Sequence, residues 1–441
     1  MHISEIYNLL KNQNFHFSTD SRTIASGDIY FALRGENMDG NAYAADALSK
    51  GASFAIIDNE KYKNDATPDT KEKVILVKDT LATLQELAHF HRKTFSIPII
   101  VVGGSNGKTT TKELLVAALS GKYNVHATRA NFNNHFGVPM TLLGLKPEHE
   151  IAVIEVGANH PLEHEQLAAI IEPTHLYITN HGKDHLEGFG SIEGVRNANN
   201  ELLAAAKKFG TTVFINKNIP EIYEDATSMN LKTEEIDSDY EIEQNIFAII
   251  NYKNFDGYSL DQKNPSITFK TQLVGDYNAP NIAAAVSIAH FFSVPLEKIQ
   301  EKLSEYIPGL MRSQLIERDG MRIILDCYNA NPSSMLLSLQ SFFSQTGRPK
   351  LAIIGDMREL GAFEQAEHQA IVDYLETCSC EEIVLVGEQF QKTTGLARAL
   401  RFPDSTSAKN WFDATSHAGF DIFIKASRGT ALEKVVNMVK S

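Results

Sequence analysis

The chain has 441 residues, with 41 Lys and Arg against 55 Asp and Glu, a formal charge of −14. An acidic balance of this size excludes a general binder of nucleic-acid backbones, which needs a net basic face, though it leaves room for a local basic pocket. Hydrophobic residues at 43% and charged residues at 22% exclude disordered, collagen-like and coiled-coil chains, and the length predicts about three domains at ~150 residues each.

The opening stretch MHISEIYNLLKNQNF is amphipathic and lacks the apolar core and cleavage site of a signal peptide. No apolar run approaches the ~20 residues that span a bilayer. Up to about Ser96, DIYFAL, ASFAIID and KVILV read as short buried strands. AYAADALSKG between them reads as a helix closed by Gly51, and TLATLQELAHFHRKTF as a longer amphipathic helix before the linker SIP. The second segment runs from 97 to 308. Its apolar runs IPIIVV, IAVIEVG, THLYITN and TTVFIN, separated by helical patterns, predict parallel βαβ units. EIYEDATSMNLKTEEIDSDYEIE is acidic and reads as a solvated loop. From Tyr240 to Val274, NIFAIINYKNFDGYSL and SITFKTQLVG alternate as antiparallel strands do, and the small-residue helix PNIAAAVSIAHFF follows. In the third segment, 309–441, the strands RIILD, KLAIIG, EIVLVG and DIFIKAS predict a smaller open, Rossmann-like α/β sheet. Its Cys327, Cys378 and Cys380, the only cysteines, make no disulfide framework and lack zinc spacing. The expectation is a soluble, cytoplasmic, three-domain α/β protein with reduced thiols. No exposed apolar helix stands out, so a monomer is expected.

IPIIVVGGSNGKTTTKELLVAAL carries the sharpest local signal. A buried strand enters Gly103-Gly104-Ser105-Asn106-Gly107-Lys108-Thr109 and leaves as a helix. Glycines let backbone N–H groups close around a polyphosphate, and the helix N-terminus adds partial positive charge. Gly104 to Gly107, Lys108, Thr109 and Thr110 are the candidate ATP contacts, with Lys108 on the β- and γ-phosphates and the Thr109 hydroxyl on Mg2+. The loop is a short Gly-x-x-Gly-Lys-Thr form, because Val102 stands where the longer pattern has glycine. Glu155 ends IAVIEVG at the carboxyl edge of the predicted sheet, a suitable place for a hard carboxylate on Mg2+. The amides of Asn131, Asn133 and Asn134, ahead of Gly137, suit hydroxyl and phosphate oxygens; Asx turns are the alternative use of such a cluster. Asn278 and Asn281 open a helix and serve equally as caps.

NFNNHFGVPMTLL, IEVGANHP, HLEGFGS, GDYNAPNIAAA, RSQ, DCYNANPSSM, GDMRELG and KASRGTALEKV follow the loop in order. Together they resemble the Mur ligase superfamily, and DSRTIASGDIYFALRGENMDG resembles that family's UDP-binding region. YNANPSSM and GDMRELG favour the branch that adds a dipeptide over those that add single amino acids. The resemblance implies an ATP- and Mg2+-dependent ligase of peptidoglycan synthesis. It would phosphorylate the terminal carboxylate of UDP-MurNAc-tripeptide and let the amine of D-Ala-D-Ala attack the acyl phosphate. It implies catalytic roles for Lys108, Glu155, His185 and Arg312, with Thr109, Glu155 and His185 as metal ligands. Asn278 and Asn281 would contact adenine, Asp326 the ribose, and Arg312 the phosphates on domain closure. Ser21 and Arg22 would hold the uridine diphosphate. Asn131, Asn133, Asn134, Tyr328, Asn329, Asn331 and Ser334 would face substrate.

Four positions depart from the family pattern. Asn199, in Ala198-Asn199-Asn200-Glu201, stands where relatives carry a carbamylated lysine that bridges a metal. An amide forms no carbamate and brings no charge for a second cation. Gly103 replaces a threonine, Pro161-Leu162-Glu163-His164 replaces Pro-Gly-Glu-Ile, and Ala426 replaces a glycine. These departures keep open a catalytically impaired or non-catalytic nucleotide-binding relative. A folylpolyglutamate synthase shares the loop and the chemistry, but the region Asp20 to Arg22 argues against it.

Overall fold

Short runs of β-branched and aromatic residues pair mostly in parallel, because helices fill the connections between them. The structure, a computed structural model, describes residues 2–437 apart from 36, 244, 254, 256–265 and 310. In the first segment Ile29–Phe31, Phe54–Ile57 and Val74–Leu76 pair in parallel, and Phe17–Ser18 adds at the Ile29 edge. The helix Thr80–Arg92 starts at Asp79, whose carboxylate accepts from Ala82 N at 2.8 Å. It packs against the helices Gly137–Leu143 and Glu163–Ile171, not only on its own sheet. Arg92 Nε donates to Ile171 O at 2.9 Å. One apolar cluster runs from Ile6 and Leu10 through Leu84 and Leu87 to Val101 and Ile154, so the first and second segments share a core.

The second segment forms a six-stranded parallel sheet in the order Thr233–Glu235, Thr212–Ile215, His175–Ile178, Ile99–Gly103, Ile151–Glu155, Val125–Ala127. Ile99–Gly103 is central and buried throughout. Its register, Val102 opposite Glu155 and Gly103 opposite Ile178, brings three strand ends to one edge. Tyr240–Ile242, Phe247–Tyr252 and Ile267–Val274 form the expected antiparallel sheet. DGYSL, the end of the first of these alternating segments, lies outside the described residues. Ala283, Ala284 and Ala285 are fully buried in the helix Ala279–Phe291, and these small side chains let it lie close to the helix Lys108–Leu119.

The acidic stretch after 220 is not a solvated loop. It folds as the helix Pro220–Ser228, the edge strand Thr233–Glu235 and the strand Tyr240–Ile242. Ile222 and Ala226, one turn apart, are buried beneath an acidic outer face, and Ile236 is buried beyond them. The third segment's sheet runs Gln314–Arg318, Met321–Asp326, Asp421–Lys425, Lys350–Gly355, Glu382–Val386, Leu400–Phe402, parallel except for its first pair. Among the described residues, no helix is long and apolar enough to cross a membrane.

Candidate active site

A cleft of about 710 Å3 lies between the carboxyl edge of the central sheet and the third segment. The phosphate loop forms its floor. Gly104 and Gly107 have φ of +108° and +80°, the left-handed region that favours glycine. Both positions are also crowded: a Cβ on Gly107 would sit 2.6 Å from Asn281 Oδ1, and one on Gly104 would collide with Thr179. Not every loop N–H points inward, as the sequence suggested. Ser105 N donates to Asn180 O at 2.9 Å and Asn106 N to Asn180 Oδ1 at 3.1 Å. The open donors are those of the first helical turn, Lys108 to Thr110, which helix geometry leaves without carbonyl partners. Lys108 Nζ folds back onto Gly104 O and, at 2.9 Å, Ser105 O, with Asp184 Oδ2 at 4.0 Å.

Glu155 is 1% exposed at its strand end. Its Oε1 accepts from Thr109 Oγ1 at 2.9 Å and from Asn133 Nδ2 at 2.8 Å. Its Oε2 is buried with no hydrogen-bond partner. A bare carboxylate oxygen beside a threonine hydroxyl fits one hard divalent cation. His185 also lines the cleft, but its Nδ1 pairs with Glu359 Oε2 at 2.8 Å, which holds the Glu359 carboxyl below its usual range. Among the described residues no three His, Cys, Asp or Glu side chains cluster as a metal site. Asp184 Oδ1, in the same cleft, is likewise buried with no hydrogen-bond partner, but Lys108 Nζ lies 4.0 Å from its Oδ2 and already supplies a positive charge there.

Asn131, Asn133 and Asn134 all line the cleft. Asn134 also performs the turn chemistry, since its Oδ1 accepts from Phe136 N and Gly137 N at 3.1 and 3.0 Å. Asn278 and Asn281 line it too, although their amides are partly engaged: Asn281 Nδ2 donates to Asn278 Oδ1 at 3.1 Å and Asn278 Nδ2 to Val274 O at 2.9 Å.

The third segment supplies the roof. Arg312 stacks on Tyr328, its guanidinium carbon 3.6 Å from the ring centroid. Met311 and Ser313 on either side of it have φ of +62° and +45°. Asp326 pairs with Lys425. Asn331 caps the helix Pro332–Ser344, its Oδ1 accepting from Ser334 N at 2.9 Å, while Asn329 Oδ1 accepts from Ala330 N. Asn331 Nδ2 then reaches across to Asn106 Oδ1 at 2.8 Å, and Lys183 N donates to Ser333 Oγ at 2.9 Å. The roof is thus hydrogen-bonded to the loop it covers.

Ser21 and Arg22 do not line this cleft. They lie on the first segment, where Arg22 pairs with Asp20 at 2.7 Å and Ser21 O accepts from Lys50 Nζ at 3.1 Å. Asn180, His181, Asp184 and Lys425 line the cleft without having been singled out from sequence. The string NHGKDHLEGF contains three of them, but only its last histidine carries a recognisable signal.

The departures also have structural counterparts. Leu162 takes the left-handed conformation, φ +71°, that a glycine would hold more easily. His164 is buried with Nδ1 2.9 Å from Ala198 O, and burial pushes it down to about 4. Glu201 accepts from Leu162 N at 2.7 Å, and Asn199 Nδ2 meets His181 Nδ1 at 3.1 Å.

Comparison with known proteins agrees with this architecture. Residues 15–92 match the model of the Mur ligase family catalytic domain, 102–289 the Mur ligase middle domain, and 311–440 the Mur ligase glutamate ligase domain. The UDP-N-acetylmuramoyl-tripeptide–D-alanyl-D-alanine ligase of Synechocystis is 33% identical over 96% of this chain and 91% of its own length. The ligase of the same name from Bacillus subtilis is 30% identical over 95% and 92%. A crystal structure of MurF from Acinetobacter baumannii superposes with a TM-score of 0.81 at 28% identity, covering 96% of this chain and 92% of that one. Three domain matches in sequence order and full-length relatives at this identity establish that the chain belongs to the Mur ligase family.

Proposed function

We propose that the chain joins D-alanyl-D-alanine to UDP-N-acetylmuramoyl-tripeptide at the expense of ATP, in the cytoplasmic synthesis of the peptidoglycan precursor, the reaction for which its relatives are named. The observation that carries this is the unpartnered Glu155 Oε2 beside Thr109 and Lys108, on the floor of a cleft roofed by a second α/β unit. A carboxylate is a poor electrophile. Transfer of the γ-phosphoryl group onto the tripeptide's terminal carboxylate releases ADP and creates a good leaving group. The dipeptide amine attacks the acyl carbon, the C–O bond to phosphate breaks, and the amine's proton is lost as the amide forms.

The residues act mainly by positioning and by neutralising oxyanions. The first-turn N–H groups and Lys108 grip the β- and γ-phosphates. Thr109 Oγ1 and Glu155 Oε2 would hold Mg2+, which supplies charge neutralisation at the phosphate oxygens. Arg312, already in the roof, adds a second cationic group. Asn278 and Asn281 face adenine and Asp326 the ribose. Asn131, Asn133 and Asn134 receive the tripeptide arm, Tyr328, Asn329, Asn331 and Ser334 the dipeptide side, and Ser21 and Arg22 the uridine diphosphate.

The test is ADP release from the purified chain with ATP, Mg2+, UDP-MurNAc-tripeptide and D-Ala-D-Ala. Turnover is expected only when both acceptor substrates are present. Release that ignores the dipeptide, or none at saturating Mg2+, would sink the assignment.

A further inference from the structure

His181 has no part in the scheme above, yet it stands against the phosphate loop. Asn180 before it holds Ser105 N and Asn106 N, and Gly182 after it abuts the Asn106 side chain. Its ring lines the cleft, and its Nε2 is enclosed with no protein partner. Its Nδ1 is 3.1 Å from the Asn199 amide nitrogen. Asn199 is 3% exposed on the helix Ile192–Phe209, and Leu202 of that helix fills the space beside Gly103. The helix is locked on its other side, where Asn200 and Arg196 both bond Asp225, at 2.8 and 2.6 Å. The amide thus has little freedom to leave the imidazole. Burial lowers the His181 pKa, so the ring is neutral near pH 7. A neutral ring that accepts at Nδ1 carries its proton on Nε2.

The family's bridging lysine is absent here, and the residues present do not suit a second cation. Asn199 is neutral and bonded to His181, and His185 is taken by Glu359. We propose that His181, fixed by Asn199 as its Nε2–H tautomer, donates a hydrogen bond to the transferring phosphoryl oxygens, in place of a second cation. This rests on the ligase reading above. Preorganised neutral donors of this kind stabilise developing oxyanions without reorganisation. His181 is then a binding residue of the reaction, and Asn199 a positioning residue that sets its tautomer.

The experiment uses the full chain labelled with 15N-histidine, the His181 ring signals being assigned by their loss in His181→Gln. The expected pattern is a protonated Nε2 and a bare Nδ1, with Nε2–H shifting when Mg2+ and AMP-PNP are added. Nδ1 protonation, or no shift on nucleotide binding, would overturn the proposal. Bound Mn2+ counted by EPR in the AMP-PNP complex should be one per chain; two would overturn it. In turnover, His181→Leu should lower kcat by about 10²–10³-fold with little change in the KM for ATP, and His181→Gln should recover part of the loss. Asn199→Leu, which offers Nδ1 no donor and leaves the tautomer unfixed, should lower kcat in the same direction by a smaller factor. Full activity in either would refute the role. Wild-type protein that shows the Nε2 shift but releases no ADP would remove the ligase reading and leave the contact. Turnover without the shift would remove the contact alone.

Discussion

Glu155→Gln should move stability and function in opposite directions. The wild-type carboxylate is buried, with two hydrogen bonds on Oε1 and none on Oε2. In the cation-free protein the bare oxygen carries an uncompensated desolvation cost of about 1–3 kcal/mol. Glutamine keeps the acceptor for Thr109 and Asn133 and removes the charge. With EDTA present the variant should therefore unfold higher by roughly 2–12 °C, at ~2–4 °C per kcal/mol for a large domain. The functional side follows from the same oxygen. The variant would lose the attraction between a dication and a carboxylate, of which desolvation already cancels much. A residual of about 3–4 kcal/mol corresponds to a 10²–10³-fold loss in kcat/KM. Thermal scans with EDTA and with Mg2+ plus AMP-PNP, alongside ADP release, measure both effects. A variant less stable than wild type in EDTA, with undiminished Mg2+-dependent binding and turnover, would refute the reasoning.

The other expectations address the roof, the buried histidines and the strained turn. Asn331→Ala removes both the helix cap and the bond to Asn106, and should cost about 1–2 kcal/mol in denaturant unfolding of the third segment. Asn331→Ser should recover the stability but not the turnover, because serine caps without reaching the loop. His164, His126 and His175 are each held neutral by burial, down to about 4. The unfolded chain binds more protons than the folded one below ~6.5, so stability should be full above that pH and fall between ~6.5 and ~4, by on the order of 3 kcal/mol for His164 alone. His164→Leu should flatten that slope in pH-dependent unfolding. Leu162 is 57% exposed at φ +71°, so Leu162→Gly should gain up to about 1 kcal/mol, and a measurable loss in Tm would contradict the strain.

Much of the framework was readable because it is local. The buried strands announced themselves as runs such as IPIIVV and KLAIIG, and the phosphate loop as glycines and Lys-Thr between a strand and a helix. Glu155 was found because a strand end is legible from hydrophobic pattern, and the sheet register then placed it opposite Val102. The acidic stretch after 220 reads as a loop because its net negative charge hides a two-residue apolar face, Ile222 and Ala226, that needs only one helical turn. Short edge strands such as Val125–Ala127 and Leu400–Phe402 escaped for a similar reason: three residues carry almost no periodicity.

The linear sequence by itself determined the α/β alternation, the glycine-rich turn between strand and helix and the identity of the residues at the strand ends, because each depends on neighbours a few positions apart. Tertiary packing alone decided which loop amides face Asn180 and which stay open, that Asn331 closes on Asn106 across 225 positions, and that Asn199 faces His181. Those pairings join residues far apart along the chain, and their hydrogen bonds exist only once separate sheets and helices have been brought into register.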